Sequence, residues 1–162
     1  MLRNFLLSLG FFGVTSVALA ADPCKLELSG NDQMQFDKKE LKLPAECAGK
    51  EITITLKHSG KLPKAAMGHN VVVYPDKEEI KNEIMAKGAA AGLAANHVDP
   101  ALVKDKKVLG FSPVIGGGET TELKLKPKTL EAGQTYGYLC SFPGHGALMN
   151  GKLVIEGPAK AG

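Results

Sequence analysis

The sequence has no block of lysine and arginine interleaved with aromatics, which argues against nucleic acid as a partner. It carries no Ser/His/Asp arrangement and no phosphate-cradling glycine loop, so neither triad hydrolysis nor nucleotide chemistry has a foothold. It has no internal repeat and no composition break that would mark a second domain. Histidine is scarce, with four residues, and cysteine scarcer, with three. What remains is an ordinary globular mixture over 162 residues, 44% hydrophobic and 23% charged. A chain of this length can bury a native-sized core without leaning on metals or disulfides alone.

The first twenty residues read as a cleaved secretory signal. Arg3 supplies the positive start, Phe5 to Val14 an apolar stretch, and Ala18-Leu19-Ala20 a small-x-small cleavage site, so the mature domain is expected to cover residues 21–162. The apolar stretch is short for a bilayer span, which disfavours an uncleaved membrane anchor. A lipoprotein would need cysteine directly after the cut, whereas Cys24 follows Ala21-Asp22-Pro23. Losing Arg3 lowers the formal charge from +3 to about +2. The lysines alternate with acids, as on a solvated surface.

Export to an oxidising compartment, here the periplasm, makes an odd cysteine informative. Two of Cys24, Cys47 and Cys140 should pair. Cys24 and Cys47 lie early in the chain, and joining them would contribute about 3 kcal/mol by constraining the unfolded state. That leaves Cys140 as a thiolate with another task.

Most of the chain reads as short strands: Lys25 to Ser29, Glu51 to Lys57, His69 to Tyr74, Thr120 to Lys126, Thr135 to Cys140 and Gly151 to Glu156. Glu51 to Lys57 alternates most clearly, with threonines on its polar face. His69 to Tyr74 is nearly all apolar, as expected of a strand covered on both sides. Turn signals such as Ser59-Gly60, Gly116-Gly117-Gly118 and Pro143-Gly144 separate them. The expectation is an all-β, Greek-key β-sandwich. Residues 76–105 break the pattern and are expected to form a partly helical insertion. Asp76 to Glu79 resembles a capping box, Ile80, Ile84 and Met85 recur at helical spacing, and Asp99-Pro100 can start a second short turn. The Ala/Gly run from Gly88 to Ala95 weakens any long helix.

The chemistry concentrates in Cys140-Ser-Phe-Pro-Gly-His145-Gly-Ala-Leu-Met149. Thiolate, imidazole and thioether fall within ten residues, on a loop able to aim all three at one point. Soft sulfur donors with imidazole suit copper in both oxidation states, and a trigonal site of this kind takes two histidines, one cysteine and a distant methionine. The second histidine must come from His58, His69 or His97. His69 is favoured, because it begins the most interior-looking strand.

With those residues in view, Cys140 to Met149 and the following Asn150-Gly151-Lys152-Leu153 resemble the copper loop of the azurin family of blue-copper cupredoxins. Met67-Gly68-His69-Asn70, Gly30 to Phe36 and Leu62-Pro63-Lys64 are similar to other azurin segments, so the likeness spans the mature chain and is weakest from about residue 77 to 107. It implies a cupredoxin domain pinned by a Cys24–Cys47 bridge. It further implies one copper, Cu(I) or Cu(II), with His69, Cys140 and His145 in its plane. Met149 and the Gly68 carbonyl are the implied weak axial contacts. Asn70 would fasten the upstream ligand to the Cys140 loop, and the Phe142 N–H would bond the Cys140 sulfur. Two departures stand out. The chain has no tryptophan, and Val71 occupies the position where well-known azurins bury one; Phe111 stands where some carry a surface histidine. His58 matches a partly buried azurin histidine.

The function so implied is non-enzymatic: a small, monomeric periplasmic protein shuttling single electrons. The exposed edge of His145 would be the electron port. Met34, Leu62, Ala66, Met67, Phe142, Ala147 and Leu148 would form an apolar docking patch for transient redox partners, such as c-type cytochromes or a periplasmic reductase. Copper delivery is the alternative, but no further Met/His cluster supports it. A multicopper enzyme would need more histidines than the chain has.

Overall fold

A computed structural model describes residues 22–157. The proposed signal and its cleavage site lie outside that range. Eight strands form two facing sheets. β1 (Lys25–Gly30), β3 (Ile52–His58) and β6 (Thr120–Leu125) make one; β2 (Glu40–Leu43), β8 (Asn150–Ile155), β7 (Thr135–Leu139), β4 (Val72–Pro75) and β5 (Gly110–Phe111) make the other, in that order. β1 pairs parallel with β3 and β2 parallel with β8, while the remaining pairings are antiparallel. Most consecutive strands cross between sheets, as in a Greek-key sandwich; only β4–β5 and β7–β8 stay within one sheet.

Alternation builds the space between the sheets. Ile52, Ile54 and Leu56 point inward from β3 and meet Leu28, Leu123 and Leu125 from its neighbours. Val71, Val73, Tyr138, Leu153 and Ile155 cover them from the opposite sheet. Burying a side chain of this size contributes about 1.5–3 kcal/mol. The threonines of β3 are less exposed than expected: Thr53 is buried, since Lys25 and Lys124 flank it in register and their stems can cover it.

The apolar run of β4 is explained by its second face. Val72, Tyr74 and Leu139 point away from the sandwich and pack on Ile84, Val98 and Leu102 of the insertion and on Val108 just after it. That insertion contains α2 (Glu78–Ala91), a 3-10 turn (Leu93–Ala95) and α3 (Pro100–Lys104). Asp99 caps α3, accepting from the Ala101 N–H at 2.8 Å, with Pro100 in the first turn. The capping box at α2 does not form. Lys77 precedes the helix without a side-chain cap, because Asp76 is drawn to Lys152 on β8. α2 also runs into the Ala/Gly stretch. Gly88 lets it approach closely, since a Cβ there would lie 2.8 Å from both the His97 and Ser141 carbonyls. Four elements escaped the pattern reading: β2, a 3-10 helix (Ala45–Gly49), β5 and the one-turn helix α1 (Lys64–Met67) after Pro63.

Candidate metal centre

Strand direction gathers the chemistry at one end of the sandwich. β1 and β3 end there at Gly30 and His58, β7 ends there before Cys140, and β8 begins there after Met149. His69 sits just before β4 in an isolated antiparallel bridge with Ile115, its N–H donating at 2.9 Å and its carbonyl accepting at 2.8 Å. The backbone under the imidazole is thereby fixed. Its Nε2–H donates to the Asn31 carbonyl at 2.9 Å, which turns Nδ1 towards Cys140.

Cys140 and Met149 are coupled through the backbone, the Cys140 N–H donating to the Met149 carbonyl at 2.9 Å. Between them the chain turns at Gly144, whose φ of +82° suits glycine. The Phe142 carbonyl then accepts from the His145 N–H at 3.0 Å, and the His145 carbonyl from the Met149 N–H at 2.8 Å. Asn150 closes the loop by donating to the Gly146 and Ala147 carbonyls.

The outcome is a compact donor set. One atom each from His69, Cys140 and His145 lie within 4.8 Å of one another, and all three residues are buried. The Cys140 Sγ is 4.0 Å from His69 Nδ1 and 3.7 Å from His145 Nδ1. A metal with bonds of about 2.0–2.3 Å spaces sulfur and nitrogen about 3.8 Å apart in a trigonal plane, so these separations suit an ion at the centre. The Gly68 carbonyl lies 3.9 Å from the same sulfur. Met149 is fully buried, and its methyl and the His69 ring meet at Gly30, where a Cβ would lie 3.1 Å from one and 2.8 Å from the other.

Electrostatics follow burial. Desolvation pushes the Cys140 thiol up to about 11, although the Asn70 and Phe142 backbone N–H groups act in the opposite direction by favouring the thiolate. Desolvation lowers His145 to about 4, helped by the neighbouring imidazoles, and lowers His69 as well. Neutral imidazoles are ready to donate lone pairs, while the thiol needs a cation to become a thiolate.

Asn70 is fully buried and spans the two ligand segments. Its Oδ1 accepts from the Ser141 N–H at 2.9 Å and its Nδ2 donates to Ser141 Oγ at 2.8 Å. The other histidines have different partners. His58 stacks on His69 with ring centres 4.1 Å apart, accepts the Gly60 N–H at Nδ1 and donates from Nε2 to the Met67 carbonyl. His97 Nδ1 bonds the Gly88 carbonyl. Of the expected patch, Leu62 (41%) and Leu148 (54%) are the large exposed members; Ala66 and Ala147 are exposed, and Met34, Met67 and Phe142 half-buried. Sequence reasoning missed Ser141, Asn31 and Asn96, which act largely through backbone groups or hydroxyls that carry no pattern. Cys24 and Cys47 form the expected disulfide, their Cα atoms 5.4 Å apart.

Residues 22–156 match the family described as copper binding proteins, plastocyanin/azurin family. The chain is 43% identical over 132 residues to azurin of Alcaligenes faecalis, a match covering 82% of this chain and 98% of that one. It is 39% identical over 155 residues to azurin of Bordetella pertussis, covering 96% and 99%. A solved azurin, Az-iso2 from Methylomonas sp. strain J, superposes with a TM-score of 0.73 at 37% identity, covering 83% of this chain and 99% of the other. With fold, donor set and likeness in agreement, the chain belongs to the plastocyanin/azurin family of copper-binding proteins.

Proposed function

We propose that this protein is a small blue-copper electron carrier in which His69, Cys140 and His145 would hold one copper ion, with Met149 and the Gly68 carbonyl as weaker contacts. The observation that carries the reading is the closed donor set: two imidazoles and a thiol converge, none more than 3% exposed, on backbone fixed by hydrogen bonds. Bound copper would supply a one-electron couple. The chain's own part is to keep the donors in one arrangement through both oxidation states and to exclude water from them. Asn70 ties the His69 and Cys140 segments together, and the Phe142 N–H faces the Cys140 sulfur. Copper delivery is disfavoured, because exchange needs accessible ligands and these are buried. The same closure supports a carrier over an enzyme.

The edge of His145, which keeps only 3% of its surface exposed and so is less open than the sequence led one to expect, would be the point of electron entry and exit. Exposed Leu62, Ala66, Ala147 and Leu148, with half-buried Met34, Met67 and Phe142, would form the apolar rim on which a redox protein docks. A c-type cytochrome or a periplasmic reductase fits such a transient contact. Work as a periplasmic monomer after cleavage behind Ala20 accords with the signal-like start and with the disulfide. Among the described residues no helix is long and apolar enough to cross a membrane.

Titrating the metal-free mature protein with Cu(II) tests the site. An intense visible charge-transfer band at one equivalent is expected, and none in Cys140→Ser. A metal-free protein that binds copper without that band would overturn the ligand assignment. Single-electron exchange with a small cytochrome, followed by stopped flow, tests the carrier role.

A further inference from the structure

The insertion reaches the metal end through one short turn. Asn96 and His97 both adopt left-handed backbone, each with φ of 55°. Such backbone is disfavoured for residues other than glycine and persists where the surroundings hold it. Here the Asn96 N–H donates to the Leu93 carbonyl at 2.9 Å and the His97 N–H to the Gly92 carbonyl at 2.9 Å. Asn96 Oδ1 accepts from the Val114 N–H at 2.9 Å. The turn thereby aims the Asn96 carbonyl at Asn70, whose Nδ2 donates to it at 2.8 Å.

That bond completes the Asn70 amide. One of its two N–H groups goes to Ser141 Oγ and the other to Asn96, while its oxygen receives the Ser141 N–H. Moving the Asn96 carbonyl would orphan a buried donor, and the amide would turn to seek another partner. The side chain of Asn96 meanwhile fastens Val114. Val114 borders the other ligand segment, for a Cβ at Gly68 would lie 2.6 Å from its Cγ1. Asn96 thus touches both walls of the site, through Asn70 next to Cys140 and through Val114 next to His69.

We propose that Asn96 is a positioning residue for the metal site, setting the separation of the His69 and Cys140 segments through Asn70 and Val114. The metal-loaded part of this inference rests on the copper reading above; the metal-free part does not. The discriminating pair is Asn96→Gly, which suits the left-handed backbone but drops the Val114 clamp, and Asn96→Asp, which keeps an acceptor there. In the metal-free protein the glycine turn, no longer clamped to Val114, is free to swing its carbonyl away from Asn70, so Asn96→Gly should speed hydrogen exchange of the Ser141 amide about tenfold. In the loaded protein it should lower copper affinity by about tenfold in chelator competition and move the visible band, as loss of an outer-shell contact does. Asn96→Asp should stay near the parent in exchange and affinity. If Asn96→Gly leaves Ser141 exchange and copper affinity at parent values and lowers only thermal stability, equally with and without metal, the inference fails. Equal losses in both variants would overturn it too. If the parent shows no blue band, the copper reading fails instead, and Ser141 exchange alone decides the role of Asn96.

Discussion

The two ends of the sandwich are built on the same strands and solve closure differently. At one end β1 and β7 start and β2, β6 and β8 finish; Leu43, Leu125, Leu130 and Ile155 fill it, and the Cys24–Cys47 bridge pins it. At the other end the buried groups include His58, His69, Asn70, Cys140, Ser141, His145 and Met149. The first end is apolar and covalently closed, and needs no ligand to complete it. The second holds ionisable donors away from water, which costs stability unless a cation binds them. Folding alone suffices for one end; the other becomes fully favourable when folding is coupled to metal binding.

The sharpest way to break this contrast is Cys140→Ser. It should abolish the charge-transfer band and lower copper affinity by orders of magnitude, while far-UV circular dichroism of the metal-free protein stays unchanged. Removing the staple should do the reverse. Cys24→Ala combined with Cys47→Ala is expected to cost about 3 kcal/mol in guanidinium unfolding with no change in the visible spectrum. A spectrum that shifts with the bridge would show that the ends are mechanically coupled.

The same division decided what could be read in advance. The alternation of Ile52, Ile54 and Leu56 marks a one-face core, and the unbroken run through Val71, Val72, Val73 and Tyr74 marks a strand covered twice. β2 alternates over only four residues and β5 has two, so each depends on a neighbouring strand for its existence. Asp76 looked like a cap because sequence cannot show Lys152 waiting across the sheet. Cys140, His145 and Met149 were legible because one loop carries all three. His69 needed its strand as an argument, and the Gly68 carbonyl came only from family likeness. Asn96 was out of reach, since its main contact is a main-chain oxygen aimed by a left-handed turn.

Acid should separate the ends further. Unfolded histidine takes up a proton near its ordinary pKa of about 6.5, whereas folded His145 resists until about 4, and His69 is lowered too. Between those values unfolding takes up protons, so the metal-free protein loses stability as pH falls from about 6.5 towards 4. Denaturant midpoints of metal-free protein across that window should fall steadily. They should fall equally in the disulfide-free variant, because no histidine lies at the stapled end. A flat profile would mean that the donors are better solvated than their burial implies.

The smallest expected effect lies outside both cores, on the rim of the metal end. Ala147 is exposed between Gly146 and Leu148, and its side chain is a single methyl with no polar group to bond the site. Ala147→Asp should therefore leave the visible spectrum and unfolding midpoint unchanged. If the rim receives redox partners, a charge placed there desolvates on docking, and the second-order electron-transfer rate with a small cytochrome should drop several-fold. Rim charges act mainly on association, so the loss should depend on salt and on the partner's own charge. The matching control sits at the stapled end, where Ala132→Asp adds the same charge at an exposed position. Equal rate changes in the two variants would remove the docking role from the Ala147 rim and leave a general charge effect in its place.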